Sequence, residues 1–138
     1  MTLDDFLALS DRERDALVAE KVMGWTAYFG AEGTPLEKNC YVESREVHKY
    51  LSVGHQLWAP TTNIADAWEV VEKLINSGRR SDDWYFTIDS YGNEGINQFT
   101  ASFEKGPNEK SERHQGHDHC APLAISIAAL RAVGAIED

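Results

Sequence analysis

At 138 residues the chain is long enough for a single domain, expected over 1–138, whose core needs neither a metal nor disulfide staples to fold. A hydrophobic content of 42%, with four Trp, five Tyr and five Phe, excludes a disordered polymer. Thirteen basic against twenty-three acidic side chains leave a formal charge of -10, which opposes direct nucleic-acid binding and adhesion to anionic membranes and favours docking on basic protein surfaces.

The amino terminus reads as two helical turns of different length. Thr2 to Leu9 forms a short helix capped by Thr2, and Ser10-Asp11-Arg12-Glu13 has the spacing of a capping box opening a second run to Met23, with Gly24 as its stop. Asp4 and Asp5 stand where a signal peptide would carry positive charge, so the expected compartment is the cytoplasm. Two distant cysteines, Cys40 and Cys120, fit the same reducing setting. No apolar run approaches the ~20 residues of a membrane span.

Trp25, Ala27 and Phe29 alternate with polar neighbours and predict a strand ended by Gly30 to Pro35. Cys40-Tyr41-Val42 and Tyr50-Leu51-Ser52-Val53 read as short strands, whereas Glu43 to Lys49 is either a helical turn or a surface excursion. The dominant helix follows. Ile64, Trp68, Val71, Leu74 and Ile75 recur on one helical face, expected to cover the core, after a cap supplied by Thr61, Thr62 or Asn63 and before an exit at Ser77-Gly78.

The best hairpin spans 84 to 104, with Trp84, Phe86 and Ile88 facing the same side as Phe99, Ala101 and Phe103 across the turn Tyr91 to Gly95. Residues 105–119 are polar and aperiodic and are expected to be a mobile loop. After Pro122, Leu123 to Val133 is apolar nearly all round before Gly134, so this last helix needs partners on more than one side, from the same chain in preference to a second subunit; a homo-oligomer is the other option. The sum is an α+β fold with a mainly antiparallel sheet.

One segment concentrates metal-ligating types: His114, His117, His119 and Cys120, with Asp118 among them and Cys40 or His48 as distant extra donors. Its spacing matches no standard zinc pattern, so the favoured reading is a solvated loop whose Asp118 or His119 caps the last helix, with no cofactor; a zinc site is the alternative. Thr61-Thr62-Asn63 beside Trp58 could hold a small anion or nucleotide, against ordinary capping and a core Trp. Arg79-Arg80 is too small a basic patch for a nucleic-acid groove. No nucleophile stands in a catalytic context, and the expectation is a protein that is not an enzyme.

Three blocks carry a family resemblance: Ala16 to Trp25, Pro60 to Leu74, and Ala121-Pro122-Leu123-Ala124-Ile125 continuing to Leu130. In order and type they resemble the phage ABA-sandwich domain family. The resemblance implies a helix-sheet-helix layering, in the order α-β-(β)-α-β-β-α, and a phage origin, and it supplies no catalytic or binding residue. Thr34 to Val53 is longer than that pattern, and Lys105 to Cys120 with its histidines lies outside it. Joined to the acidic charge, the resemblance implies an accessory protein of the infected host's cytoplasm that binds a host protein with a basic surface, as an antagonist of a bacterial defence system. A small-molecule binder that sequesters a nucleotide signal, and a metal-dependent enzyme built on His114 to Cys120, are the alternatives.

Overall fold

Two capping boxes start the chain. In the computed structural model, which describes residues 1–28, 40–42, 48–50, 58–76, 84–93, 95–105 and 112–138, Thr2 accepts from the Asp5 amide at 3.1 Å at the start of α1 (Leu3–Ala8). Ser10 and Glu13 exchange bonds in the same way, at 3.3 and 2.8 Å, at the start of α2 (Asp11–Lys21). Each side chain satisfies an amide that the first helical turn would leave without a partner. Helix α2 ends where expected, with Gly24 at φ 72 and the Trp25 amide bonded back to the Ala19 carbonyl at 2.9 Å.

A first sheet, ordered β1-β2-β3, joins β1 (Thr26–Tyr28), β2 (Cys40–Val42) and β3 (His48–Tyr50) in antiparallel pairs, Tyr28 opposite Cys40 and Cys40 opposite Tyr50. The first two strands are as expected. The third begins earlier than the Tyr50 to Val53 expectation, so His48 and Lys49 belong to a strand and not to a helical excursion. Phe29, the Gly30 to Pro35 turn, residues 51–53, Ser77-Gly78 and Arg79-Arg80 lie outside the described residues.

Helix α3 (Ile64–Ile75) leads to the hairpin of β4 (Trp84–Asn93) and β5 (Ile96–Lys105), which pairs as expected, Phe86 opposite Phe103 and Ile88 opposite Ala101. The expected loop is corrected over half its length. Residues Glu112–Asp118 form β6, antiparallel to β5, and complete a sheet ordered β4-β5-β6. As an edge strand it needs little apolar content, so its sequence resembles a loop. Residues 106–111 lie outside the described set.

The last helix, α4 (Ala121–Ala132), is the centre of the core. Every residue from Ala124 to Leu130 is buried, and the helix touches β5, β6, α3 and α2, so its apolar circumference is satisfied within the chain. Gly116 makes this approach possible: a Cβ there would lie 2.0 Å from the Ala124 carbonyl oxygen and 2.7 Å from the Ala128 amide nitrogen. The helix backbone therefore rests directly on β6. Phe6, Val18, Ala19, Val70, Val71 and Phe103 fill the space around it. The α+β class, the antiparallel sheet and the order of elements agree with expectation, β6 being the addition.

Candidate functional site

Strand geometry disperses the histidine segment. Successive side chains of a strand alternate between faces, and β6 places His114 opposite Phe103 and Gly116 opposite Ala101 on the inner face, but His117 opposite Thr100 on the outer one. His114 is 16% exposed, lies edge-on to Trp84 with ring centroids 5.7 Å apart, and its Nδ1 is 2.7 Å from Asp138 Oδ2. His117 Nδ1 lies 3.0 Å from Thr100 Oγ1. His119 is 82% exposed with Nδ1 3.4 Å from Asp118 Oδ1. Cys120 is a free thiol whose Sγ lies 3.8 Å from the Thr61 carbonyl oxygen. Cys40 and His48 belong to strands of the other sheet.

An ion held by His114 cannot also be reached by His117 through the sheet, and among the described residues no three His, Cys, Asp or Glu side chains are grouped to hold one. The capping expectation is corrected: the cap residue of α4 is Cys120, not Asp118 or His119. Asp118 Oδ1 accepts from the Cys120 amide at 2.8 Å just before α4, although Cys120, the cap residue itself, makes no side-chain cap bond.

The turn from Trp58 to Asn63, the other candidate, is buried from Trp58 to Thr61 and exposed at Thr62 and Asn63. Asp15, fully buried on α2, accepts from the Thr61 amide at 3.0 Å and the Thr61 hydroxyl at 2.6 Å, and it pairs with Arg12. Ser126 donates to the Pro60 carbonyl at 3.1 Å, and Asp66 accepts from the Ala59 amide at 2.8 Å. Asn63 is the cap of α3, accepting from Ala65 and Asp66 at 2.9 and 3.2 Å. The Thr62 and Asn63 amides both bond to the Ala59 carbonyl, at 3.1 and 2.7 Å.

These amides are consumed by the protein itself, which argues for capping over an anion or nucleotide. Trp58 is buried against Trp25, with centroids 4.5 Å apart, and offers no stacking surface; its Nε1 is buried without an acceptor among the described residues. Burial pushes the Asp15 carboxyl above the usual carboxylate range, against the opposing pull of the Thr61 bonds and of Arg12. Sequence reasoning missed Asp15. Within an apolar stripe a lone carboxylate at a helical core position was its signal, but the partner stands 46 residues away.

The sheet's outer face is built differently. Tyr85, Thr87, Asp89 and Tyr91 of β4 face solvent, with Tyr85 62% and Tyr91 55% exposed. Cross-strand bonds tie β5 to β6 along this face, Thr100 to His117 at 3.0 Å, Gln115 to Ser102 at 3.1 Å and Arg113 to Glu104 at 2.6 Å, and Tyr91 of β4 bonds to Gln98 of β5 at 3.1 Å. Each bond joins residues directly opposite in the register. The result is a pre-organised polar surface carrying two exposed phenol rings.

The three sequence blocks on which the resemblance rests fall on α2, α3 and α4, and the family model for the Phage ABA sandwich domain matches residues 16–130. The chain belongs to the phage ABA sandwich family. No curated protein and no solved structure matches it.

The family match spans everything from within α2 to within α4, so it runs through Thr34 to Val53 and Lys105 to Cys120, the two stretches that depart from the expected pattern. Of this phage protein's two surface features, the second is on α3. Ala67, Val70, Val71 and Leu74 are its buried side. Trp68, expected in the core, is 48% exposed and touches Phe86 edge-on at 5.8 Å, and Ile64 and Ile75 are exposed with it. Three of the five expected stripe residues are surface, because α3 lies over β4 at the sheet's edge, where no further strand continues the floor among the described residues. No helix of the described residues is long and apolar enough to cross a membrane.

Proposed function

We propose that this phage protein acts by binding and not by catalysis, docking the outer face of β4-β5-β6 on a host protein with a basic surface. The observation that carries the reading is that face: a rigid sheet surface, ordered by cross-strand bonds, with Tyr85 and Tyr91 exposed beside Asp89. Tyrosines on a rigid scaffold supply large contact area at little entropic cost. The charge of -10 supplies the attraction to a basic partner and would set the rate of encounter. Antagonism of a bacterial defence system is the setting that the phage family and this charge favour. The divergence of His114, His117 and His119 speaks against the metal-dependent enzyme, and the consumed amides before α3 speak against nucleotide sequestration there.

The test is affinity capture from host lysate with mass spectrometry, run beside solvent extraction of the purified protein for small molecules. We expect a basic host protein that is captured at low salt, released as the Debye length falls to about 3 Å near 1 M salt, and not captured by a folded Tyr85→Ala, Tyr91→Ala variant. Capture that ignores both salt and the tyrosines, or a co-purifying nucleotide in its place, overturns the proposal.

A further inference from the structure

The two exposed tyrosines of the outer face stand in different electrostatic settings. Tyr85 lies directly opposite Glu104, and that carboxylate is already neutralised from the next strand by Arg113 at 2.6 Å. Tyr91 lies opposite the neutral Gln98, whose Oε1 accepts from the phenol hydroxyl at 3.1 Å, and the pairing of β6 ends one residue short of Gln98. On the same face Asp89 stands two residues before Tyr91, about 7 Å along the strand. Asp89 is the single charge of β4, is exposed, and has no ion pair or hydrogen-bond partner among the described residues. Its cross-strand row runs through Thr100 to His117, which is two strands away, roughly 10 Å, and has its Nδ1 3.0 Å from the Thr100 hydroxyl oxygen.

We infer, on the reading of this face as the docking surface, that an arginine of the partner completes its Tyr91 end, with the guanidinium stacked on the Tyr91 ring and forked on the Asp89 carboxylate. Charge selects a cation: an anionic group here would meet Asp89 directly, on a chain of net charge -10. Geometry selects among cations. A guanidinium is planar and weakly hydrated, so one group can lie on an aromatic face and present paired N–H donors to a carboxylate at its edge. A lysine ammonium is a strongly hydrated point charge without that fork. Alternate residues on one strand face hold ring and carboxylate at the separation that such a planar group can bridge.

The bond to Gln98 holds the Tyr91 ring in place before the partner arrives, which lowers the entropy lost on contact. The face is therefore asymmetric. Its Tyr85 end, where Glu104 and Arg113 satisfy each other, contributes contact area, and its Tyr91 end contributes the choice of side chain. Salt screens the long-range attraction of every basic partner alike. The preference for arginine depends on contact with the ring and the fork, and it persists where the general attraction has been screened.

Amide chemical-shift titration of the labelled protein with tri-arginine and with tri-lysine, two peptides of equal charge, tests this. Asp89→Asn and Tyr91→Leu, both at exposed positions, are titrated beside the wild type after their folding is checked by circular dichroism. We expect tri-arginine to shift the amides of residues 88–92 with a Kd of about 1 mM, roughly fivefold tighter than tri-lysine, and the preference to vanish in each variant. Equal affinity for the two peptides, shifts centred elsewhere on the molecule, or a preference that both folded variants keep, overturns the inference. If host capture depends on Tyr85 and Tyr91 while the two peptides bind alike, the arginine site is wrong and docking stands. If tri-arginine behaves as expected while no host protein is captured, the arginine site stands and the docking reading fails.

Discussion

Helices α3 and α4 pack side by side, and their sequences suggest the reverse of their burial. Helix α3 has the sharper division between apolar and polar sides, yet Ile64, Trp68 and Ile75 on its apolar side are exposed. Helix α4 has almost no division, and Ala124 to Leu130 are all buried. A helix's apolar width says how much surface is available for burial, and its neighbours decide how much is used. Helix α4 has β5, β6, α2 and α3 around it and, through its alanines and Gly116, sits close enough to use them. Helix α3 overhangs the β4 edge.

The contrast is sharpest in truncation. Leu130→Ala removes a fully buried side chain from the middle of the core and should cost about 3 to 4 kcal/mol, read from denaturant midpoints. A cost near that of a surface substitution would mean that α4 is not the centre of the core.

Next is the polar tie that anchors the start of α3. Asp15→Ala strands the buried Thr61 amide and hydroxyl and should cost about 2 to 3 kcal/mol. Asp15→Asn keeps an acceptor and should cost less, with a characteristic pH trend. The folded-state carboxyl titrates above its ordinary value of 3.8, so its contribution to stability is fully present below that value and is lost as pH rises through the folded value. The deficit of the Asn variant against wild type should therefore shrink as pH rises from below 3.8. A deficit that grows with pH would mean that the Thr61 and Arg12 interactions outweigh burial.

Trp68→Ala is the counterpart of Leu130→Ala on the other helix. With half its surface already in water and one aromatic edge contact among the described residues, it should cost about 1 kcal/mol. A loss as large as that of Leu130→Ala would erase the distinction between the two helices and return Trp68 to the core.

The smallest effect is expected in the histidine segment. His117→Ala combined with His119→Ala should leave the melting temperature nearly unchanged, and tag-free protein should carry no stoichiometric metal by elemental analysis. His114→Ala, which loses the Trp84 and Asp138 contacts, should lower it measurably. One equivalent of zinc, lost with stability in the double variant, would put a metal site back in first place.

Local chemistry was readable from the chain. The Thr2 cap and the Ser10 box, the Gly24 stop, the 84 to 104 hairpin with its facing Phe86 and Phe103, and the encircled last helix all follow from interactions within a few residues or from a repeating period. The polar β6 escaped because its strand character comes from pairing with β5, and an edge strand leaves no clean periodic trace. The histidines looked like a cluster because sequence distance hides the alternation that sends His114 and His117 to opposite faces.

By itself the sequence determined the class of fold, the phage family, the starts of α1, α2 and α3, the Gly24 stop and the acidic charge, since each depends on residue type and near neighbours. Tertiary structure decided which part of the α3 stripe is core, that Asp15 is spent on Thr61, and that Tyr85 and Tyr91 are exposed on one side of the β4-β5 hairpin. These depend on what lies across the fold, often dozens of residues away in the chain, and burial there is set by the neighbours that the whole fold supplies.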